Sequence, residues 1–569
     1  MSTIVLSPPP RLHTHWSERI AHGALLAMVL LLAIGLLFPL LAILLQALTP
    51  HDPQQAAWQA FASYFRSPAL LQSLWNSLWV SLLVTVIVIP LAFGFAYALT
   101  RSCMVGKGWF RTVTLLPLLA PSMLSAISLI YWFGNQGIAK GFWQGLGFES
   151  IYGAPGIVLA ECFAVFPHAL MILVTALSLA DARLYEAADT MGTSTWRKFL
   201  TITLPGAKYG LISAALVTFT LVITDFGIPK VVGGKFNVLA TDVFKLVVGQ
   251  QDFQRGAVVA LLLLLPALLT FTVDYHAQRR QSAMLTARAV PLVPAPARGF
   301  DALMTAYCSL IALLMLAMFG MAVFASLAKL WPYNLSLGLQ HYVYGLVDAE
   351  LDEALFNSLK MAAATAVIGP IVVFAGAYLM EKTQGLAAVR HMLRLMVMLP
   401  MAVPGLVLGL GYIFFFNAPA NPLQGLYQTL PLLVLCTTVH FYTTGHLTLV
   451  TALKAMDGEF EAVSNSLKVP FYKTCWKVTL PICLPALLDV SRYFFINAMT
   501  TISAVVFLYS PETKLASVAI LNLDESGEIS AAAAMAVLIA ALSIVVTALY
   551  GVLGWVLSRH SQAWRRTRT

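Results

Sequence analysis

The chain has 569 residues, of which 59% are hydrophobic and only 10% are charged, and its mean hydropathy is +0.81. Soluble domains carry roughly 25% charged residues, so this composition excludes an ordinary soluble protein and indicates a membrane protein. The net charge of +9 does not indicate nucleic-acid binding, because basic residues at the ends of membrane helices face the anionic headgroups of membrane lipid.

Apolar runs long enough to cross a bilayer core of about 30 Å recur along the whole chain. Lipid tolerates no unsatisfied backbone groups, and the runs lack the alternation of an outer-membrane barrel, so they are predicted to be helices. The predicted fold class is therefore all-α, a polytopic membrane protein with about twelve transmembrane helices. The predicted spans are 24–48, 74–99, 112–133, 155–180, 206–226, 256–276, 302–327, 359–380, 394–416, 430–453, 482–508 and 530–557.

The first apolar run follows a polar segment that contains Arg11 and Arg19, like the basic start of a signal peptide. Its apolar stretch is too long for a signal peptide and no small-residue cleavage site follows, so we expect a retained first helix. The cysteines lack paired spacing and predict neither a disulfide framework nor a zinc site. They are Cys103, Cys162, Cys308, Cys436, Cys475 and Cys483.

Lys and Arg accumulate on the cytoplasmic side of membrane proteins. If both termini are cytoplasmic, most of the 34 Lys and Arg residues fall in predicted cytoplasmic segments. This asymmetry predicts that both termini lie in the cytoplasm.

The chain contains an internal repeat, because "QSLWNSLWVSLLVT" in the first half aligns with "EALFNSLKMAAATA" in the second. An even number of spans gives both halves the same orientation, so we predict two parallel six-helix repeats. A pathway between two like halves is the favoured interpretation, and duplication for stability alone is the alternative. The aligned pairs are Asn76 with Asn357, Ser77 with Ser358, Pro117 with Pro400 and Pro121 with Pro404.

The repeat divides the chain into five predicted parts. They are an N-terminal cytoplasmic segment (1–23), a first transmembrane half (24–277), a basic linker rich in Pro and Ala (278–300), a second transmembrane half (301–558) and a basic tail (559–569).

One polar phrase occurs in both halves, as "EAADTMGTSTWRKFLTITLP" (186–205) and "EAVSNSLKVPFYKTCWKVTLP" (461–481). Gly192, followed by Thr193 and Ser194 as N-caps, predicts a helix break in the first copy, and Pro470 suits the first turn of a new helix in the second. Each copy therefore predicts a short helix, a corner, and a second helix that ends near Leu-Pro at the membrane surface.

Helical spacing gives each of these two segments a largely apolar face. This face is expected to be buried against the lipid interface, the rest of the chain or another protein. Acidic residues open both copies, Glu186 with Asp189 and Glu459 with Glu461, and they favour docking to protein. The predicted face contains Ala188, Met191, Thr195, Phe199 and Ile202 in the first copy, and Val463, Leu467, Phe471, Cys475 and Val478 in the second.

The order Glu-Ala-Ala, three residues, Gly, nine residues, Ile-x-Leu-Pro resembles the signature of permease subunits of ATP-binding-cassette importers. In that family the segment is the coupling helix, which sits in a cleft of the cytoplasmic ATPase subunit. The second copy keeps Glu461 and Ala462, but Lys468 stands where Gly is expected, so Pro470 is predicted to form the corner. The first copy matches at Glu186, Ala187, Ala188, Gly192, Ile202, Leu204 and Pro205.

The resemblance implies a type I importer permease with both halves fused into one chain in a bacterial inner membrane. It also implies two copies of a cytoplasmic ATPase subunit, which bind ATP and Mg, and a periplasmic substrate-binding protein. The chain contains no G-x-x-x-x-G-K-[ST] loop, the phosphate-binding motif of ATPases. We therefore predict that it is not an enzyme and binds no cofactor itself. Its predicted external loops are too short to form a binding domain.

Two resemblances bear on the substrate. Residues 223–244 look like the corresponding segment of ferric-iron permeases, whereas residues 466–489 and 503–539 more closely resemble 2-aminoethylphosphonate permeases. We favour 2-aminoethylphosphonate, with ferric iron or another small solute as the alternative.

Polar residues inside apolar spans are costly, so each one is a candidate for function. Asp489 and Arg492 are three residues apart and are expected to pair, either structurally or in a pathway. For Glu161, seven residues from His168, hydrogen bonding between helices is favoured over substrate contact. His440 and His446 lack a partner at metal spacing and are expected to be packed polar residues. The predicted translocation path comprises Asp225, Asp489, Arg492, Asn497, Thr500 and Glu161.

Two functions of other classes compete with a coupled permease. A secondary transporter with two six-helix halves needs a buried ion relay, for which Glu161 is the one plausible carboxylate. A membrane enzyme needs a nucleophile, metal cluster or carboxylate pair at catalytic spacing, and none emerges.

Overall fold

A computed structural model describes residues 16–49, 58–284, 290, 292–344, 351–457, 459–467 and 469–561. This part of the chain is almost entirely helical, which confirms the predicted all-α class. Its strands, β1 (Ala328–Leu330) and β2 (Asn334–Leu337), form one antiparallel hairpin.

The helices of the first half begin with α1, which contains a π-helical turn at Ala33–Leu37. The main helices are α1 (Trp16–Leu48), α2 (Pro68–Arg101), α3 (Met123–Phe133), α4 (Ala154–Ser178), α5 (Ala182–Thr190), α6 (Thr195–Gly206), α7 (Lys208–Thr224), α8 (Leu239–Phe244) and α9 (Phe253–Met284). Shorter helices lie between them at Trp58–Arg66, Lys107–Thr114, Lys140–Gly145 and Gly227–Val232.

The second half repeats this order. Its helices are α10 (Arg298–Leu327), α11 (Leu351–Lys382), α12 (Ala387–Ala402), α13 (Gly405–Phe416), α14 (Leu430–His440), α15 (Tyr442–Lys454), α16 (Glu459–Ser466), α17 (Phe471–Thr500), α18 (Ala516–Glu525) and α19 (Ile529–Ser561). The short helix Gln340–Val343 follows the hairpin.

Within the described ranges, eight helices are long and apolar enough to cross a membrane, or up to ten if each bent pair counts as one span. The bent pairs are α6 with α7, at 63°, and α12 with α13, at 115°. The predicted continuous spans 112–133, 394–416 and 430–453 are wrong as single helices, because each is interrupted. Pro117 and Pro121 explain the first interruption, since proline has no N–H for the helical ladder.

Each half packs its first helix against the other half. Helix α1 lies against α13, where the Tyr412 hydroxyl donates to the Gly35 carbonyl over 2.7 Å. Helix α10 lies against α3, where the Trp132 indole donates to the Ala317 carbonyl over 3.2 Å. The two sequence repeats therefore share one continuous core and do not form two separate bundles.

Contacts between distant segments define two ends of the molecule. At the inner end, His22 at the start of α1 lies 3.3 Å from the Gln384 carbonyl after α11. At the outer end, the Gln254 side chain at the start of α9 donates to the Thr49 carbonyl over 2.8 Å. Both repeated phrases lie at the inner end, which the charge asymmetry predicts to be cytoplasmic.

Helix bounds differ somewhat from the predicted divisions. Helix α1 begins at Trp16, inside the predicted N-terminal segment, and α19 extends to Ser561 in the predicted tail. Helix α9 reaches Met284 and α10 begins at Arg298, so both enter the predicted linker 278–300 from its two sides. Between them, residue 290 and residues 292–297 are described, and they are not helical.

Candidate functional site

The first corner, residues 181–206, contains the predicted helix break. The Asp181 side chain caps α5 by accepting a hydrogen bond from the Arg183 N–H over 3.2 Å. Gly192 follows α5 with φ of +65°, and its N–H donates to the Asp189 carbonyl over 2.9 Å. The Ser194 side chain then caps α6. The predicted roles of Gly192 and Ser194 are thus confirmed, since glycine adopts a positive φ without steric cost.

The second corner, residues 457–481, follows the same plan with different residues. The Asp457 side chain accepts a hydrogen bond from the Glu459 N–H over 3.1 Å at the start of α16. Pro470, with φ of −60° and ψ of 140°, directly precedes the first helical residue of α17. Lys468 lies outside the described residues, so its proposed replacement of the glycine stays a prediction.

The prediction that the second helix of each corner ends near Leu-Pro is confirmed in the first corner, where α6 ends at Gly206 and the chain bends by 63° into α7. It is wrong in the second corner, where α17 runs from Phe471 to Thr500 without such a break. A π-helical turn, Phe199–Thr203 or Cys475–Thr479, precedes each Leu-Pro pair, and in the second corner the chain stays helical beyond it. The Leu204 and Leu480 N–H groups bond to carbonyls five residues back. This wider turn accommodates a proline, which otherwise loses one bond and clashes with the preceding turn.

The predicted apolar faces are divided between the core and the surface. Ala188 is buried, whereas Met191 is 75% exposed and Phe199 is half-buried. The reason is that the break at Gly192 reorients α6 relative to α5, so one helical spacing does not run through both. Among the large apolar residues of the predicted faces, Met191, Val463 and Leu467 are exposed, and the others that are exposed at the corners were not predicted.

Four aligned apolar positions are exposed in both corners, and together we call them the docking face. The largest side chains among them, Trp196 and Trp476, are 69% and 73% exposed. Large exposed apolar patches on a protein surface mark interaction sites. The docking face comprises Leu184, Met191, Trp196 and Leu200 in the first corner and Phe460, Leu467, Tyr472 and Trp476 in the second.

The acidic residues of the corners do not all face outward. Glu186 is exposed, as are the predicted contacts Ala187 and Ala462. Glu461 instead forms an ion pair with Lys382 at the end of α11, over 2.8 Å, and both side chains are largely buried. The neighbouring helix therefore supplies the opposite charge for Glu461, and the expected contact of Glu461 with a partner stays a prediction.

The structure brings Glu161 and Asp225 together between α4 and α7. Glu161 is almost fully buried, and its carboxyl group lies beside that of Asp225. Asp225 accepts hydrogen bonds from the Ile228 N–H over 2.8 Å and from the Ser122 hydroxyl over 3.3 Å. Hydrogen bonding of Glu161 between helices stays a prediction, with Asp225 as the neighbouring carboxyl group.

The remaining path candidates lie along α17. Asp489 and Arg492 form the predicted ion pair, over 3.3 Å, and their side chains are 64% and 37% exposed. Asn497 and Thr500 donate to carbonyls of their own helix over 2.8 and 2.9 Å. Eleven residues separate Asp489 from Thr500, so the ion pair lies about 16 Å nearer the inner end.

The two halves meet at the outer ends of α7 and α17. A Cβ atom added at Gly227, just after Asp225, would lie 2.8 Å from Ser122 and 3.8 Å from Ile502 of the second half. Nearby, the Lys230 ammonium forms an ion pair with Glu525 over 2.6 Å and lies over the Phe244 ring at 5.1 Å. These contacts form a seam between the halves, which the sequence did not predict.

The repeated Asn-Ser pair was aligned from the sequence, but its role was missed. The Ser77 hydroxyl accepts the Leu239 N–H that begins α8, over 2.8 Å, and Ser358 accepts the Ala516 N–H that begins α18, over 2.8 Å. Asn76 and Asn357 donate to carbonyls in the same outer segments. Only the repeat itself signals these contacts, because each partner lies far away along the chain.

The two histidines considered for metal binding are packed in the interior. The His440 ring lies 4.6 Å from that of Phe441, and the His446 ring stacks on Tyr442 at 5.7 Å. Across the described part of the chain, no group of three or more His, Cys, Asp or Glu residues is placed to hold a metal ion.

Comparison with known proteins shows where this architecture occurs. The family described as "Binding-protein-dependent transport system inner membrane component" matches residues 89–283 and 373–554, more than half of the chain. The Actinobacillus pleuropneumoniae ferric transport system permease protein FbpB is 27% identical over 536 residues, covering 90% of this chain and 75% of that protein. The Escherichia coli K12 molybdenum transport system permease protein ModB is 32% identical over 139 residues, covering 24% of this chain and 61% of that protein.

Among solved structures, a bacterial alginate ABC transporter in complex with an alginate pentasaccharide-bound periplasmic protein is similar to part of the chain. The match covers 46% of this chain and 96% of that chain, with 14% sequence identity and a TM-score of 0.39.

Proposed function

This chain belongs to the family of binding-protein-dependent transport system inner membrane components, and we propose that partner ATPase subunits drive it through its two corners. It is the double-length, multi-pass inner-membrane permease of an ABC importer for small solutes. Its family works with an ATPase and a periplasmic binding protein.

One observation carries the proposal: both corners expose the same four aligned positions as a docking face. Apolar groups that are exposed at matching places in both halves are typical of a surface that another protein covers. Two like corners fit two copies of one ATPase subunit, which bind ATP and Mg in place of this chain. Glu186 and Ala187 lie beside the first docking face, where a partner reaches them.

The proposed mechanism is alternating access. ATP-driven closure of the ATPase subunits draws the corners together and opens the outer end, where the binding protein delivers its solute. Asp225, Glu161, Asn497, Thr500, Asp489 and Arg492 are proposed to border the solute path. The last two lie nearer the inner end, so they meet the solute after it passes the seam.

The test is uptake into liposomes that contain the permease with its ATPase and binding protein. We expect uptake only with ATP, Mg and all partners present, and we expect Trp196→Asp together with Trp476→Asp to abolish it without loss of insertion. Tyr333→Asp is the control, because Tyr333 is exposed in the turn between β1 and β2, outside the membrane helices and away from both corners. Uptake by the permease alone, driven by an ion gradient, would show a secondary transporter and overturn the proposal.

For the substrate we propose 2-aminoethylphosphonate, on the resemblance of residues 466–489 and 503–539. Ferric iron is the second candidate, because the FbpB relative, aligned over most of this chain, is named for ferric transport. Titration calorimetry of the cognate binding protein with each solute, followed by uptake of the labelled solute, separates them. Binding and uptake of ferric iron without the phosphonate would reverse the choice.

A further inference from the structure

The linker between the halves is joined to the start of the first corner. The Val290 carbonyl accepts a hydrogen bond from the Ala182 N–H over 2.9 Å, and the Val290 N–H donates to the Asp181 side chain over 3.3 Å. The same Asp181 oxygen accepts the Arg183 N–H that caps α5. One linker residue thus makes two hydrogen bonds to the first turn of the coupling helix.

The other end of the linker is fixed to the start of the second half. The Pro294 carbonyl accepts from the Cys103 thiol over 3.3 Å, just after α2. The Asp301 carboxylate in α10 accepts from the Cys103 N–H over 2.7 Å and from the Ala297 N–H over 3.0 Å. Residues 290 and 292–297, which we call the strap, therefore join α5 to the end of α2 and to α10.

The second corner is held in another way. Asp457, which aligns with Asp181, caps α16 through the Glu459 N–H over 3.1 Å. Glu461 then ties the corner to Lys382 in α11, a helix of the same half. The first corner is joined to a helix of the opposite half, whereas the second corner is joined to a helix of its own half.

We propose that the strap is a positioning element for coupling: it transmits displacement of the first coupling helix to α10 and hence to the second half. A segment that is fixed by hydrogen bonds at both ends transmits displacement between the elements it joins. Val290 and Asp181 are positioning residues, which act through α5 and touch neither solute nor nucleotide. This inference rests on the proposed function of the corners.

The test changes the backbone hydrogen bonding of the linker at Val290 and leaves the sequence of the corner unchanged. Val290→Pro removes the N–H that donates to Asp181, whereas Val290→Ala keeps both backbone groups and is the matched control. The readout is the amount of solute imported per ATP hydrolysed by the complete transporter in liposomes. This ratio does not change when a variant only lowers the amount of folded protein.

We expect Val290→Pro to lower this ratio about five-fold, which corresponds to the loss of one hydrogen bond of about 1 kcal/mol, and Val290→Ala to leave it unchanged. An unchanged ratio in Val290→Pro would overturn the inference. Absence of ATP-dependent uptake in the wild type would instead contradict the proposed function itself.

A second pair of variants keeps the inference testable if Val290→Pro fails to fold. Asp181→Ala removes a helix cap and the strap contact, whereas Asp457→Ala removes the aligned cap alone. We expect a larger fall in solute imported per ATP for Asp181→Ala. Equal falls would show that the strap contact adds nothing to the cap.

Discussion

The outer ends of the two halves are built alike, whereas the inner corners are held by different contacts. At the outer end, Ser77 and Ser358 accept the first N–H of α8 and α18 over the same distance, 2.8 Å. At the inner end, Tyr185 in α5 bonds to the Thr203 hydroxyl over 2.8 Å in the first corner, while Glu461 forms an ion pair with Lys382 in the second.

The outer contacts are alike and the inner contacts differ because the two ends have different packing requirements. The outer segments of both halves meet in one seam, through contacts such as that of Lys230 with Glu525, so a change in one half must fit the other. In the proposed function, each inner corner needs only to present its docking face to an ATPase subunit. A hydroxyl pair, an ion pair and a strap can each hold a short helix, because each supplies one or two polar contacts of similar net strength.

The largest effect is expected from a substitution that disrupts the first corner at Gly192. Gly192→Pro forces a negative φ where the chain has +65° and removes the N–H that bonds Asp189, so we expect complete loss of uptake with normal membrane insertion. Gly192→Asn should retain most uptake, because asparagine tolerates this conformation. Gly206→Ala is the control, since its Cβ meets no atom within 4 Å. Full uptake by a stable Gly192→Pro variant would contradict the coupling role.

The next prediction tests whether Ser77 and Ser358 contribute equally to holding α8 and α18 at the outer end. Ser77→Ala and Ser358→Ala each leave a buried N–H without its acceptor, so each should lower the free energy of unfolding by about 1–3 kcal/mol. Unfolding in mixed micelles measures the change. Ser178→Ala, at an exposed serine that bonds only its own helix, should cost less than about 0.5 kcal/mol. A clear difference between Ser77 and Ser358 would refute the equivalence.

A smaller effect is expected from the ion pair of the second corner. Glu461→Lys should lower ATP-driven uptake through loss of about 1 kcal/mol of pairing, and adding Lys382→Glu should restore most of it. Tyr185→Phe is the matching change in the first corner, where it removes one hydroxyl contact. If the double exchange fails to restore uptake, Glu461 acts on something other than Lys382.

The smallest effect concerns pH at the outer end. Burial, with the nearby Glu525 carboxylate, raises the pKa of Asp524 from 3.8 to about 6, although Lys230 opposes the shift. The folded protein therefore holds this proton more tightly than the unfolded chain, and stability from this group rises as pH falls from about 6 to about 4. Asp524→Asn should raise the free energy of unfolding above that of the wild type by about 0.5–1 kcal/mol near pH 7.5.

The melting temperature in detergent, measured near pH 7.5 and near pH 4.5, checks this prediction. The advantage of Asp524→Asn should be less than half as large at the lower pH, where the folded wild-type carboxyl is protonated. Glu528→Gln, at an exposed residue nearby, is the control. An advantage of equal size at both pH values would show that charge on Asp524 is not its cause.

The all-α membrane class and the repeat were predictable because apolar run length and proline and glycine placement are local properties of the chain. The break at Gly192 and the pairing of Asp489 with Arg492 were predictable for the same reason, since both depend on near neighbours. The aligned Asn-Ser pairs were visible in the sequence, but their partners at Leu239 and Ala516 were not.

Tertiary structure alone decided which polar groups meet. The fold places Glu461 against Lys382, Glu161 beside Asp225 and Val290 against Asp181. The members of each pair are far apart in the sequence, so no local spacing predicts these contacts. It also determined which apolar side chains stay exposed, since Ala188 is buried and Met191 is not, although both belong to one predicted face. The physical reason is that helical periodicity determines which residues share a side, whereas burial depends on what packs there.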